Sequence, residues 1–531
     1  MSKSLDLARV SAKGGVNILW GLTLSSAISA IGIMVVAGIL PEAEFGIMTK
    51  ALIGPTIIIS LRDLGIDQAI IKYTTEYRTE NNTEKLKNIV FSGTVFEVIL
   101  GIAFTAISLL LSGFMANILE KPAIAPLIQI LSFTILAGAL LKAAQSAFIG
   151  YEKMQYHSVT LIVHSILKTG LMVILVTLHF GVYGAIIGNV ISHLSAGLIG
   201  IALLYLIIIK KLQKQEGQLQ FTSTIKTMLK FGLPLSILAM LIGVLSQFYN
   251  FLFAIYSTDQ IYGNYQIALN FAILISIFAS SVSTVMFPTF SKVKAQEDPK
   301  TVRNVFQYSI KYTSLLIVPL TFAVMALSKP GVETLFRDKY EYAPFFLSLY
   351  VIFFLYSAIG SLSITPLIKS QGKTQVSMKI TILQFIVGIV LSAILIPQFG
   401  VLGLIATYLT AMLPTLLISL WWINKNYKAT VDWKSSTKIL AASAFSAILA
   451  YLTLNQVNLA SWISLILGAA VFLGTYMITA PLIGAIDYND TKNLQDMLKS
   501  LGPVGTIVNP LLYPIEKITS KTRKSNIKDQ K

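Results

Sequence analysis

Four cations and four groups able to accept or release a proton lie inside otherwise apolar stretches of this 531-residue chain. The cations are Lys50, Arg62, Lys142 and Lys168, and the others are Asp63, Asp67, Glu97 and His164. Ammonium and guanidinium groups withdrawn from water bind anions, phosphate oxygens above all. Buried carboxylates carry a coupling proton, hold sodium or neutralise neighbouring cations. Each such group costs roughly 2.5–3.5 kcal/mol at the centre of a bilayer, so each is expected to face a polar cavity or a partner.

Helical spacing sorts these residues into faces. His157, His164 and Lys168 share one face of their segment; so do Lys142, Gln145 and Ser146 on the segment before, and Thr94, Glu97 and Gly101 on the one before that. Two roles stay open for them: Glu97 pairs with Lys168 or Lys142 to hold helices together, or the group lines a cavity. Arg62, Asp63 and Asp67 fall near one end of their segment, where two readings stay open: a snorkelling arginine with local carboxylate partners, or a direct role in binding substrate. The second half of the chain offers neutral groups instead, Gln247, Asn250, Gln266 and Asn270. Charged and neutral polar halves suit a large substrate with an anionic end and a sugar end, although amides in such segments also bond neighbouring helices.

Several chemistries are excluded. With no cysteine in the chain, there are no disulfides, thiolate metal sites or cysteine nucleophiles. Gly372-Lys373-Thr374 lacks the upstream glycine of a phosphate-binding loop. There is no zinc-protease helix motif, and no cofactor is expected. A net charge of +17 raises nucleic-acid binding, but the basic residues lie in alternate loops rather than on one stacking face, so no nucleic-acid partner is expected.

The elements that position these residues follow from composition. Hydrophobic residues make up 55% of the chain, charged residues only 12%, and mean hydropathy is +0.73, whereas soluble proteins carry about a quarter charged residues. The apolar runs are about twenty residues or longer, which predicts an all-α integral membrane protein of about fourteen transmembrane helices. Spans are expected near residues 15–40, 46–71, 88–113, 123–149, 157–179, 183–209, 231–256, 262–290, 304–328, 342–368, 376–397, 400–424, 437–455 and 459–486. The first is too long for the apolar core of a signal peptide. Of 41 Lys and Arg residues, only Lys121, Lys329, Arg337 and Lys339 fall in outside loops, and the four buried cations fall within spans. That alternation places both termini on the cytoplasmic side of the cell membrane. No outside loop exceeds about fifteen residues, which leaves a loop-borne catalytic domain no room. Beyond the last span, Asp490 is expected to cap a short helix with Leu494, Met497, Leu498 and Leu501 on one face. Residues 516–531 are expected to form a disordered basic tail attracted to membrane lipid.

An internal repeat organises the spans. Phe45-Gly46 and Tyr262-Gly263 open spans two and eight at an offset of 217 residues. Lys153-Met154-Gln155 matches Lys373-Thr374-Gln375 at 220, and Phe180-Gly181-Val182-Tyr183-Gly184 matches Phe399-Gly400-Val401-Leu402-Gly403 at 219. Ordered matches at a nearly constant offset predict two six-helix bundles, residues 1–209 and 231–424, as a parallel pseudo-repeat. A basic cytoplasmic linker, 210–230, joins them; two further helices, 425–486, and a cytoplasmic segment, 487–531, follow. Two like-oriented bundles around a cleft make a transporter plan.

Leu40-Pro41-Glu42-Ala43-Glu44-Phe45-Gly46, followed by Asp63-Leu64-Gly65 and Ile70, resembles the start of the polysaccharide-type lipid flippases of the multidrug/oligosaccharidyl-lipid/polysaccharide exporter superfamily. The likeness runs through nearly the whole chain in span count, repeat and the two additional spans. It implies a non-enzymatic flippase that moves a polyprenyl-(pyro)phosphate-linked oligosaccharide across the membrane by alternating access, without ATP, for surface polysaccharide biosynthesis. It also implies a cationic cavity, carried over to Arg62, Lys142 and Lys168. Polysaccharide-assembly glycosyltransferases or a polymerase are the implied partners, and Glu97, Asp63 and Asp67 are left as coupling groups for protons or sodium. The alternatives are a multidrug or small-cation antiporter of the same superfamily and a peptidoglycan lipid-precursor flippase.

Overall fold

The computed structural model describes residues 2–213, 219–293, 298–499 and 513–528. Among them are twenty α-helices and no strand. The first ten are α1 (Ser2–Ile39), α2 (Glu42–Ala51), α3 (Ile53–Arg62), α4 (Ile66–Thr79), α5 (Thr83–Ile118), α6 (Ala125–Gly150), α7 (Met154–Leu175), α8 (Gly181–Leu204), α9 (Lys210–Gln213) and α10 (Phe221–Ile255). They are followed by α11 (Asp259–Ser291), α12 (Pro299–Ala326), α13 (Ser328–Phe336), α14 (Ala343–Tyr350), α15 (Ser361–Ser370), α16 (Thr374–Tyr427), α17 (Trp433–Gln456), α18 (Ser461–Leu482), α19 (Tyr488–Lys499) and α20 (Tyr513–Lys528).

Eleven helical stretches are long and apolar enough to cross a membrane, or twelve with the bent pair 343–359 and 361–370 counted as one. Two of the eleven, Met154–Leu212 with 59 residues and Thr374–Tyr427 with 54, exceed what one crossing needs at 1.5 Å per residue. Each is interrupted at a glycine, Gly181 (φ 51°, ψ −135°) and Gly400 (φ 55°, ψ −125°). Taken as two crossings apiece, they accommodate the fourteen read from the sequence.

Those glycines are the pair matched at offset 219, and their backbone angles are nearly the same. The offset of 220 has a structural counterpart too. Glu152 N donates to Ile149 O and Lys153 N to Phe148 O, while Gly372 N donates to Lys369 O and Lys373 N to Ile368 O. Both are Schellman closures built around a left-handed residue, Glu152 (φ 56°) or Gly372 (φ 72°).

Side-chain caps fix several helix starts. Asn82 accepts from Lys85 N at α5, Asp298 from Thr301 N at α12 and Asp432 from Ser435 N at α17. The hydroxyl and amide of Thr301 hold the Asp298 carboxyl below the usual carboxylate range.

The contacts gather the chain into two units, one of residues 1–270 with 381–407 and the other of 271–380 with 408–531. In the first, Ile66, Ile70, Val90, Ala144, Phe148, Leu204 and Met228 pack in one core. Helix α10 joins that unit by packing on α3, α4 and α5. In the second unit, Phe290, Phe306, Leu367 and Ile423 form one core, and Val318, Ile439, Phe472 and Ala480 form another.

Three expectations need correction, and the linker gains detail. The span expected at 46–71 ends at Arg62, because residues 63–65 leave the helix and α4 starts afresh at Ile66. Gly65 takes φ 74°, and a Cβ there would lie 2.2 Å from the Gly232 carbonyl oxygen, so Asp63-Leu64-Gly65 marks a close crossing of two backbones. The linker expected at 210–230 is helical at both ends, in α9 and from Phe221 onward; residues 214–218 lie outside the described residues. The cap of α19 is Asp487. Its carboxylate accepts from Asp490 N while that of Asp490 accepts from Asp487 N, a reciprocal capping box. The side chains of Leu494, Met497 and Leu498, and all of Leu501, lie outside the described residues. Finally, the expected disordered tail contains α20, which packs on α18 and α19 with Ile515 buried.

Candidate functional site

The structure sorts the intramembrane charges of the first unit into three places. The first is an ion-pair cluster around the end of α3. Arg62, 4% exposed, donates from Nη1 to Glu97 Oε2 of α5 at 2.7 Å. Lys142 of α6 reaches Asp63 at 2.8 Å and Asp67 at 3.2 Å. Arg62 is therefore buried rather than snorkelling, and the partner of Glu97 is Arg62 rather than Lys142 or Lys168. Helix α3 ends at Arg62, which turns both its guanidinium and the Asp63 carboxylate into the bundle. Of the residues sharing a face with Lys142, Ser146 donates to the Lys142 carbonyl and Gln145 reaches the Thr160 hydroxyl of α7 at 3.3 Å.

The second place lies between α2 and the start of α11. Lys50, fully buried, bonds Asp259 at 3.0 Å and donates to the Ser257 carbonyl at 2.7 Å. Lys121, in the turn between α5 and α6, also bonds Asp259. The backbones meet closely here: a Cβ on Gly46 would strike the Asp259 carbonyl oxygen at 1.9 Å, and one on Gly263 the Glu42 carbonyl oxygen at 2.6 Å. These are the two glycines matched at offset 217. Asn264 donates to the Glu42 carboxylate at 2.9 Å beside them. The sequence reading did not select Asp259, because it lies at a segment boundary where a carboxylate needs no explanation.

The third place is a cavity of about 170 Å³ bounded by α1, α2, α6, α7, α8 and α11. Its polar lining is Lys168, Asn189, Gln266, Asn270 and Thr49, and the rest is apolar, including Leu131 and Met172. Lys168 has no ion pair or hydrogen bond among the described residues. His164, one turn before it, stacks edge-on against His193 of α8 with ring centroids 4.1 Å apart. Of the residues selected from the sequence, then, Lys168, Gln266 and Asn270 meet in one cavity. Lys50 sits next to the lining residue Thr49 but turns to Asp259. Gln247 and Asn250 lie on α10 away from the lining, with Asn250 Oδ1 buried and unbonded. Asn189 and His193 went unselected although they share one face of α8 at a spacing of four residues, the signal that could have found them.

Residues 35–345, more than half of the chain, match the family model described as polysaccharide biosynthesis protein. The chain belongs to the polysaccharide biosynthesis protein family. Residues 224–473 of this family member also match the model for the lipid II flippase MurJ. Among curated proteins it is similar to the lipopolysaccharide biosynthesis protein WzxC of Escherichia coli (strain K12), 22% identical over 395 residues that cover 72% of this chain and 75% of the relative. Its fold is similar to the lipid II flippase MurJ in an inward closed conformation, with TM-score 0.72 and 17% identity over 88% of this chain and 99% of the other. It is also similar to an inward-facing multidrug resistance MATE family transporter of the MOP superfamily, with TM-score 0.61 and 17% identity over 76% and 95%. The polysaccharide biosynthesis family member is accordingly a multi-pass membrane protein with the fold of these transporters.

Proposed function

We propose that this transporter is a flippase for a polyprenyl-(pyro)phosphate-linked oligosaccharide, moving it across the cell membrane by alternating access for surface polysaccharide assembly. Both termini are read as cytoplasmic from the alternation of basic loops. The observation that carries the substrate reading is Lys168, an unpaired cation in a cavity shared with Asn189, Gln266 and Asn270. An ammonium group among apolar walls calls for an anion, and the amides offer donors and acceptors to phosphate or sugar oxygens. At about 170 Å³ the cavity suits a phosphate-bearing headgroup, not a whole glycan, since drug-sized ligands already need roughly 300–1,000 Å³. The glycan and polyprenyl chain are therefore assigned to space outside it.

The ion pairs support the same reading against a cation antiporter. Asp63, Asp67 and Glu97 are engaged with Lys142 and Arg62, so the carboxylates that a cationic drug would seek are already compensated. The match of residues 224–473 to the lipid II flippase model favours one second reading, a peptidoglycan precursor, whose lipid pyrophosphate would need the same cation. Deleting the gene and following the lipid-linked glycan between leaflets separates these. Accumulation on the cytoplasmic face with loss of surface polysaccharide is the expected result, and mass spectrometry of the accumulated lipid names the glycan. Arrest of cell-wall synthesis would select the second reading. Unchanged surface glycan with raised sensitivity to cationic drugs would overturn both.

A further inference from the structure

The sequence leaves two sets of groups open for ion coupling, the carboxylates Asp63, Asp67 and Glu97 and the histidine His164. Only the carboxylates have partners in place: Glu97 bonds Arg62, and Asp63 and Asp67 share Lys142. His164 is different. Its Nε2 is buried and unbonded among the described residues, its ring lies against His193 at 4.1 Å between centroids, and Lys168 follows one helical turn later. His193 Nδ1 lies 2.9 Å from the Asn189 carbonyl oxygen. A carbonyl only accepts, so Nδ1 of His193 carries the hydrogen and its Nε2 keeps a free lone pair. Asn189 itself lines the Lys168 cavity. One side of the pair is thus tied to the cavity wall, and both rings keep a nitrogen able to take a proton.

The charges around α7 complete the setting. On α7 itself are Tyr156, His157, His164 and Lys168, and His179 lies in the segment after it. Helix α8 supplies His193 and Tyr183, α6 supplies Lys142 with its two carboxylate partners, and α1 has no titratable side chain between Trp20 and Ile39. Helix α2, which packs on α8, carries Glu42 bonded by Asn264, Glu44 near Gly181 at the start of α8, and Lys50 held by Asp259. No carboxylate free of a cation faces the pair from these elements. A second positive charge beside Lys168 has no counter-charge from the protein, whereas a bound pyrophosphate diester carries two negative charges, one more than a single lysine offsets.

We infer that anion and proton enter this site together: when a pyrophosphate-bearing headgroup occupies the Lys168 cavity, the His164–His193 pair takes up a proton from the water on the open side. The proton bonds to a free imidazole nitrogen, no other bond changes, and it leaves with the headgroup on the far side. Its service is charge compensation, because the loaded cavity crosses the low-dielectric interior with less net charge. Imidazole nitrogens suit a proton, while sodium, a hard cation, prefers oxygen ligands, so the coupling ion assigned here is H⁺.

This inference rests on the anion-binding reading of the cavity, and the test separates the two. The full chain, purified in detergent, is titrated calorimetrically with inorganic pyrophosphate at pH 7 in two buffers of different ionisation enthalpy. The difference in heat gives the protons taken up per pyrophosphate bound. The expected result is an uptake approaching one, which falls in the His164→Gln/His193→Gln chain to the small value due to pyrophosphate itself, with affinity weakened several-fold. Equal uptake in the double variant, heat independent of buffer in the native chain, or a requirement for sodium would overturn the proton assignment while leaving the cavity reading in place. The native-chain measurement needs no variant to fold. Absence of pyrophosphate binding altogether would overturn the cavity reading and this inference with it.

Discussion

Lys142 and Lys168 are the same residue type on helices that touch, α6 and α7, yet their surroundings are opposite. Lys142 is held by two carboxylates at 2.8 and 3.2 Å, whereas Lys168 faces a cavity whose other polar groups are all uncharged. A cation within the bundle whose counter-charge the protein supplies is part of the scaffold; one without it has its counter-charge reserved for something that arrives. The residue type is the same at the two sites. The difference lies in what the end of α3 delivers to one and not to the other.

The largest effect expected from this contrast belongs to the paired cluster. Glu97→Ala strands the Arg62 guanidinium, 4% exposed, and removing one partner of a buried pair costs about 3–5 kcal/mol. Thermal unfolding in detergent should show a large loss, and replacing both partners together, Arg62→Met with Glu97→Leu, should recover most of it. A double variant as unstable as the single one would break the assignment of this pair to the scaffold.

Lys50 sharpens the comparison from a second side. Although fully buried, it shares Asp259 with Lys121, so its removal leaves that carboxylate a cation. Lys50→Ala is expected to cost about 2–3 kcal/mol by the same melting measurement, below the Glu97 variant. A loss equal to or larger than that of Glu97→Ala would mean Lys121 does not compensate. The smallest effect is expected far from either site. Asn82→Ala removes the cap of α5 and should cost about 1 kcal/mol with transport unchanged at equal protein level.

Much of the fold was legible because bilayer thickness and the cost of buried charge act on composition alone. Runs of apolar residues and the alternation of basic loops mark the crossings. The glycines at offsets near 219 mark places where the backbone needs a conformation or an approach that other residues resist, and Gly181 with Gly400 show this directly. What composition hides is pairing. Nothing in the sequence states that α3 ends at Arg62, and without that ending Arg62 reads as a snorkelling residue and Glu97 looks toward the wrong lysine. The same holds for Asp259, which acquires a role only through Lys50 on a helix distant in sequence, and for His193 and Asn189, whose role appears only where α8 packs against the helix before it. Lys168, Gln266 and Asn270 were legible as polar residues in spans, while Gln247 and Asn250, chosen on the same grounds, lie elsewhere.

The measurement that tests the central claim most directly compares two lysine variants for export of the lipid-linked glycan, each at matched membrane abundance. Lys168→Ala is predicted to fold and insert normally, with its melting temperature close to that of the native chain, and to lose transport by about 10- to 100-fold, the loss of one or two charge-assisted hydrogen bonds to the cargo. Lys142→Ala is predicted to lose stability first, with export falling only as far as protein abundance does. Export by Lys168→Ala equal to that of the native chain, at equal protein level, would contradict the claim that its unpaired charge awaits the substrate.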